Sequence, residues 1–215
     1  MPAPRTSAFR MPDPAPLDEA SADAAPLPLF TRWYGEAEAA GLPDFNAMAL
    51  ATATADGAPS VRIVLLRGFD ERGFVFFTNY RSRKAQELAA NARAALVLYW
   101  PQLKRQVRIE GLVELVGAAE SDAYFRSRPR GHQLNAHASP QSEVVPSRRV
   151  LEERMRQLEK QFAGLDDVPR PGHWGGYRVA PLMFEFWQGG EDRLHDRLRY
   201  RAQPDGTWQR DRLAP

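Results

Sequence analysis

The sequence predicts a mainly β fold with flanking helices, arranged as an antiparallel sheet or barrel. Three observations predict it. Short runs rich in β-branched and aromatic residues recur from residue 47 onward, closely spaced and joined by turn residues. Helical periodicity interrupts them only briefly. No internal repeat is visible, and 215 residues fit one domain of ordinary size with a real core.

Residues 1–26 are rich in Pro and Ala without periodicity, which predicts a mobile tail and leaves 27–215 as a single domain. Phe30, Trp33, Tyr34 and Ala37 keep helical spacing, with Gly41 as the stop. Strand patterns follow at 47–54, ending at the Asp56-Gly57 turn, then at 61–67 and 73–79. Two more lie at 94–100 and 105–116, divided by Pro101. Helices are expected at 82–91, 118–126 and 148–162. The chain closes with strands at 182–187 and 193–201 and a hairpin through Pro204-Asp205-Gly206.

The bulk numbers exclude several classes. The net charge is only +2, so no polybasic surface calls for nucleic acid. Lys occurs only at 84, 104 and 160, so Arg supplies most of the positive charge. The absence of Cys excludes disulfides, thiolate metal sites and a cysteine nucleophile. No run approaches the roughly 18 apolar residues of a membrane span, and the N-terminus lacks the order of a secretory signal. A cytoplasmic enzyme is the expectation.

Five patterns carry chemistry. Trp187 precedes Gly189-Gly190, and Arg193, His195 and Arg197 follow at alternate positions. In an extended strand those three share one face, suited to a planar anionic ligand and equally compatible with a solvated edge. Ser82 reads as a helix N-cap, and Arg83 and Lys84 in the first turn oppose the helix dipole unless an anion sits there. Arg62 and Arg67 lie in a largely apolar strand, and alternation places them on opposite faces, so they should serve different partners. Tyr124 and Arg128 are one helical turn apart and face one pocket. Gln106, in another alternating strand, can both donate and accept at a ring edge. His132 and His137 have no acidic companion at ligand spacing, so no metal site is expected.

The motifs Arg62-Ile63-Val64-Leu65-Leu66-Arg67, Phe77-Thr78-Asn79, Ser82-Arg83-Lys84, Arg105-Gln106-Val107, the run 124–130, Gln141-Ser142, Trp174-Gly175-Gly176, the run 185–197 and the final Asp211-Arg212-Leu213-Ala214-Pro215 stand in one order. In that order, from about Leu29 to the last residue, the chain closely resembles the pyridoxamine 5′-phosphate oxidase family. The resemblance implies the FMN-binding split β-barrel, antiparallel and homodimeric, with FMN sites at the subunit interface. It implies oxidation of pyridoxamine 5′-phosphate and pyridoxine 5′-phosphate to pyridoxal 5′-phosphate with O2 as acceptor and H2O2 as product, a step of vitamin B6 biosynthesis and salvage. FMN contacts carried over are Arg62, Ile63, Val64, Leu65, Leu66, Arg67, Phe77, Thr78, Arg83, Lys84, Gln106, Gln141, Ser142, Trp187 and Arg197. Substrate contacts are Arg67, Tyr124, Arg128, His132, Arg193 and His195, the last two also catalytic, holding the substrate and assisting proton movement. The resemblance further implies that Gln141 and Ser142 arrive from a different protomer than Arg62 and Lys84.

The chain departs from the pattern at four places. Arg67 stands where Lys is usual, His132 where Ser is common, and Asn135 and His137 where Gly and Trp are frequent. In the tail Arg10 is the only counterpart of the family's arm residues, and it receives no role. The rival readings are a related split-barrel flavin oxidase acting on another aromatic metabolite, of the phenazine type, and a non-catalytic FMN-binding protein.

Overall fold

The computed structural model describes residues 16–20 and 22–215. The elements are α1 (Pro26–Ala39), β1 (Ala47–Ala53), β2 (Pro59–Leu65), β3 (Gly68–Asp70), β4 (Gly73–Asn79), α2 (Arg83–Ala90), β5 (Arg93–Trp100), β6 (Arg105–Leu115), α3 (Ala118–Ser127), α4 (Arg130–Ala138), α5 (Arg148–Gln161), β7 (Trp174–Gln188), β8 (Asp196–Ala202) and β9 (Trp208–Arg212). The chain divides into two compact units. The larger holds Asn46–Val97 and Ile109–Met183, and the smaller holds the chain through Phe45, Leu98–Arg108 and Phe184–Pro215.

In the larger unit the strand order is β2-β1-β5-β6-β7-β4-β3. β1 runs antiparallel to both β2 and β5, and β4 antiparallel to both β3 and β7. The β1–β2 turn is the expected one, with Gly57 donating to the Thr54 carbonyl at 3.0 Å. Met48, Leu50 and Thr52 of β1 are buried on one face, as period-2 alternation requires. β2 alternates too: Arg62 and Val64 are half-buried, while Val61, Ile63 and Leu65 are exposed. Gly73 allows β4 and β7 to approach closely, since a Cβ there would stand 2.1 Å from the Val179 carbonyl oxygen. A separate apolar cluster joins Phe125, Leu134, Ala136, Phe162, Val168 and Trp174.

In the smaller unit α1 buries Leu29, Phe30, Trp33 and Ala37, the spacing expected of it. Trp33 meets Phe186 edge-on at 5.4 Å, and Phe186 meets Tyr200 at 5.7 Å. β8 and β9 form the expected hairpin. Residues of the expected tail that precede α1 hydrogen-bond to it: Leu17 N–H donates to Asp196 at 3.0 Å, and Arg210 donates to the Ala22 carbonyl at 2.6 Å. Arg10 lies outside the described residues.

Three elements differ from the sequence expectation. The strand expected over 182–187 is only the end of the 15-residue β7, because Gly175 and Gly176 carry no side-chain signal. α4 is an unexpected helix whose buried face includes only one large aliphatic residue, Leu134. The strand expected over 193–201 begins only at Asp196. Residues Glu191–Arg193 form a 3-10 turn instead, with Asp192 at φ 50° and Arg193 at φ 64°. No helix among the described residues is long and apolar enough to cross a membrane.

Candidate functional site

The larger unit contains a cavity of about 650 Å³, a volume suited to a cofactor-sized ligand. β2 contributes Arg62, Ile63, Val64 and Leu65, and Arg67 follows just past its end. β4 adds Phe77 and Thr78, α2 adds Lys84, and the end of α3 brings Tyr124 and Arg128. His132 and Asn135 of α4, Gln141 and Trp174 complete the wall. Thus strand ends and helix starts deliver most of the expected residues to one place.

One corner is built around Lys84, which is 9% exposed. Its Nζ donates to Gln141 Oε1 at 2.8 Å and to Thr78 Oγ1 at 3.2 Å. Burial, then the Arg62 charge, brings its pKa down to about 8, with Glu87 acting in the opposite sense. Ser82 occupies the N-cap position but does not cap: its hydroxyl donates to the Asn79 carbonyl at 2.7 Å. Ser82 is fully buried behind β4, so that turn carbonyl takes its proton. Arg83 is absent from the cavity wall and pairs with Glu87 at 2.8 Å on a largely exposed side chain. Gln141 reaches Lys84 within one chain, which corrects the expectation that it comes from a different protomer than Lys84. Ser142, exposed at φ 76°, is not part of this wall, and Leu66 is buried in the core at 2% exposure.

The second corner is aromatic and cationic. Tyr124 and Phe77 stack at 4.0 Å, Phe77 and Trp174 at 5.5 Å. Arg67 lies over Tyr124 at 5.8 Å and Arg128 over Trp174 at 4.5 Å, so a guanidinium stacks at either end of the rings. Arg128 is not one helical turn on from Tyr124 as expected. Pro129 disfavours helix at the preceding residue, and Arg128 is extended at φ −76°, ψ 147°. Both still face the cavity. Arg128 Nη1 is buried and has no hydrogen-bond partner. Burial, with the Arg67 charge also contributing, lowers the Arg128 pKa. A buried cationic donor left unpaired is unfavourable unless an anion completes it. Arg62 and Arg67 do serve different protein partners, Glu87 and Tyr124, although both line one cavity. His137 points elsewhere: its Nε2 meets the Pro169 carbonyl at 2.8 Å, and burial lowers its pKa.

The remaining candidates belong to the smaller unit. Trp187 and His195 rings lie 4.8 Å apart. His195 Nδ1 accepts the Gly190 N–H at 3.2 Å, which leaves the proton of the neutral ring on Nε2. A Cβ on Gly190 would stand 2.1 Å from the Leu194 carbonyl oxygen, so the turn needs glycine there. Arg197, in β8, donates to Glu185 at 2.8 Å and to the Ala214 carbonyl at 2.8 Å. Arg193 is exposed in the 3-10 turn, so the three-residue strand face expected of 193, 195 and 197 does not exist; only Arg197 is in a strand. Gln106 is half-buried on β6. His195, Gly190 and Asp196 line a cleft of about 670 Å³ in this unit.

Sequence reasoning passed over Glu87, Thr52 and Ser60, which surround Arg62, and Trp174 as a ring of the stack. Only Trp174 left a signal, as a large aromatic before a Gly pair.

A family model described as pyridoxamine 5′-phosphate oxidase matches residues 35–162. A second, the pyridoxine 5′-phosphate oxidase C-terminal dimerisation region, matches residues 174–215. A pyridoxine/pyridoxamine 5′-phosphate oxidase of Cupriavidus pinatubonensis is 55% identical over 199 residues, 93% of each chain. One of Rubrobacter xylanophilus is 58% identical over 94% of this chain and 92% of its own. Among solved structures, PhzG from Burkholderia lata 383, in complex with tetrahydrophenazine-1-carboxylic acid, has a TM-score of 0.88 at 32% identity, covering 95% of this chain and 100% of that one.

Proposed function

This chain belongs to the pyridoxamine 5′-phosphate oxidase family, and on that premise we propose that it oxidises pyridoxamine 5′-phosphate and pyridoxine 5′-phosphate to pyridoxal 5′-phosphate. FMN is the cofactor, O2 the acceptor and H2O2 the second product. The carrying observation is that one cavity holds two pairs of like charge, Arg62 with Lys84 and Arg67 with Arg128, each lowering a neighbour's pKa. Cations crowd in a partly buried wall when anions are to sit between them. Two pairs suit two phosphates, one from the flavin and one from the substrate.

Arg62, Thr78, Lys84 and Gln141 hold the flavin phosphate, and Ile63, Val64 and Leu65 line its path. Arg67, Tyr124, Arg128 and His132 hold the substrate phosphate. The stacked rings cover one face of the Arg67 and Arg128 guanidinium groups and leave their N–H edges for the phosphate. Gln106, Trp187 and Arg197 orient the flavin, and Arg193 and His195 hold the substrate, in a site completed at the interface of a homodimer. When bound, the flavin supplies the redox chemistry, and the chain supplies orientation and charge. His195, with its proton on Nε2, donates toward the substrate and can carry a proton at that atom.

The likeness to PhzG favours a second reading, oxidation of an unphosphorylated tricyclic acid. The Arg67–Arg128 corner and the higher identity to the vitamin B6 oxidases weigh for a phosphorylated substrate. The test is to release the chromophore of the purified protein, compare H2O2 formation with pyridoxine 5′-phosphate, pyridoxine and a dihydrophenazine carboxylate, and measure sedimentation. Released FMN, a dimer and turnover confined to the phosphorylated substrate are expected. A colourless protein, or equal turnover of pyridoxine, would sink the reading, and a monomer with full flavin content would sink the interfacial site.

A further inference from the structure

We propose that Glu87 is the positioning residue of the flavin-phosphate corner, its buried carboxylate fixing the Arg62 guanidinium where the phosphate is to be met. The inference rests on the FMN reading above. Glu87 lies on α2 three residues after Lys84, with its side chain 4% exposed. Its Oε2 accepts from Ser60 Oγ at 2.6 Å, from Arg62 Nη2 at 3.2 Å and from the Thr52 hydroxyl. Its Oε1 accepts from Arg83 Nε at 2.8 Å. Thr52 is a bridge, since its oxygen also accepts from Arg62 Nη1 at 2.5 Å. Arg62 Nη1 further donates to the Leu50 carbonyl at 3.2 Å, and Nη2 to the Ser60 hydroxyl. Both ends of the guanidinium are therefore held by β1, β2 and α2, while the residue lines the cavity.

The position of this carboxylate is otherwise hard to explain. By charge alone, an anion beside Lys84 and Arg62 opposes a phosphate. Burial alone would push the Glu87 pKa up, yet the bonds from Ser60, Thr52, Arg83 and Arg62 bring it down to about 2. The charged and polar groups facing Lys84 are Arg62 from β2, Glu87 from its own helix, Ser82 just before that helix, Thr78 from β4 and Gln141 from the loop after α4. Of these only Glu87 favours the Lys84 cation by charge, so the same carboxylate that fixes Arg62 also helps keep Lys84 protonated below about pH 8.

Direct repulsion of the phosphate by the Glu87 charge and the positioning of Arg62 by the same carboxylate have opposite signs for flavin retention, and this makes the proposal testable. Flavin release from the holo protein is followed by the recovery of flavin fluorescence on dilution, from pH 6 to 9.5, for wild type, Glu87→Gln, Thr52→Val and Lys84→Ala. If Glu87 positions Arg62, Glu87→Gln releases flavin about tenfold faster, the size of one lost charge-assisted bond. The alkaline loss of retention also begins at lower pH in that variant. Thr52→Val removes the bridging hydroxyl without removing charge, and gives a smaller loss in the same direction even if the Gln variant does not fold. Flavin held as in wild type, or more tightly, by Glu87→Gln and Thr52→Val overturns the proposal while Lys84→Ala still releases it. Retention unchanged in Lys84→Ala overturns the phosphate reading itself, and the proposal with it.

Discussion

In the larger unit the ligand-facing cations sit on regular elements or just past their ends, and other side chains hold them. Arg62 is fixed by Glu87, Thr52 and Ser60, Lys84 by Gln141 and Thr78, and Arg67 and Arg128 by the faces of Tyr124 and Trp174. In the smaller unit backbone atoms do the holding. His195 takes its orientation from the Gly190 N–H, Arg197 is bound by the Ala214 carbonyl as well as Glu185, and the Gly189 N–H bonds the Lys104 carbonyl at 2.8 Å. A side-chain network fixes charge and can be tuned residue by residue. A backbone-held turn fixes direction, and any residue that disturbs the turn disturbs the group it aims.

That contrast fails first, if it fails, at His195. Replacing His195 or Arg193 by Ala should leave the protein yellow while turnover of pyridoxine 5′-phosphate falls about 100-fold, the usual scale for a lost proton-handling or positioning group. Flavin content is measured beside steady-state oxidation for each variant. Unchanged turnover in both would assign this turn no part in the chemistry and favour a flavin carrier.

A smaller and opposite signature belongs to the cavity. Lys84→Ala should weaken flavin retention about tenfold, one charge-assisted contact's worth, with little change in turnover per bound flavin. The same group sets a pH dependence. The Lys84 pKa is lowered to about 8, so the cation is present below that pH and lost as pH rises through it. Flavin binding by the flavin-free protein should therefore weaken from about pH 8 upward in wild type, and Lys84→Ala should lack that step. A step of equal size in the variant would move the titration to another group.

The smallest expected effect sharpens the comparison most. Gly190→Ala removes no side chain, yet its Cβ would press on the Leu194 carbonyl and shift the turn that aims His195. A turnover loss of roughly fivefold with unchanged flavin content is expected, about 1 kcal/mol of transition-state positioning. Wild-type turnover would show that the turn tolerates displacement and that His195 is aimed by its ring contact with Trp187 instead.

Much of the fold was legible because its signals are local. The 47–54, 73–79 and 94–100 patterns became β1, β4 and β5 almost to the residue, and Phe30, Trp33 and Ala37 packed as their spacing required. The reading failed where local signals mislead. Alternating Arg193, His195 and Arg197 look like a strand face, but the chain turns through left-handed φ at 192 and 193 before β8 begins. Tyr124 and Arg128 look like one helical turn, but Pro129 ends α3 at Ser127 and leaves Arg128 extended. Ser82 looks like a cap, but a buried carbonyl at Asn79 competes for its hydroxyl.

The sequence by itself determined most of the strand and helix inventory, α4 and β3 excepted, the family, and the residue types suited to an anion, because periodicity and side-chain chemistry are properties of short stretches. Tertiary structure alone decided which cations stand together and what restrains them. Thr52 meets Glu87 across 35 residues of chain, and Thr78 meets Gln141 across 63. No local pattern encodes such a pairing. It follows from the order in which the strands are laid side by side, and it sets both the surroundings of Lys84 and the geometry of Arg62.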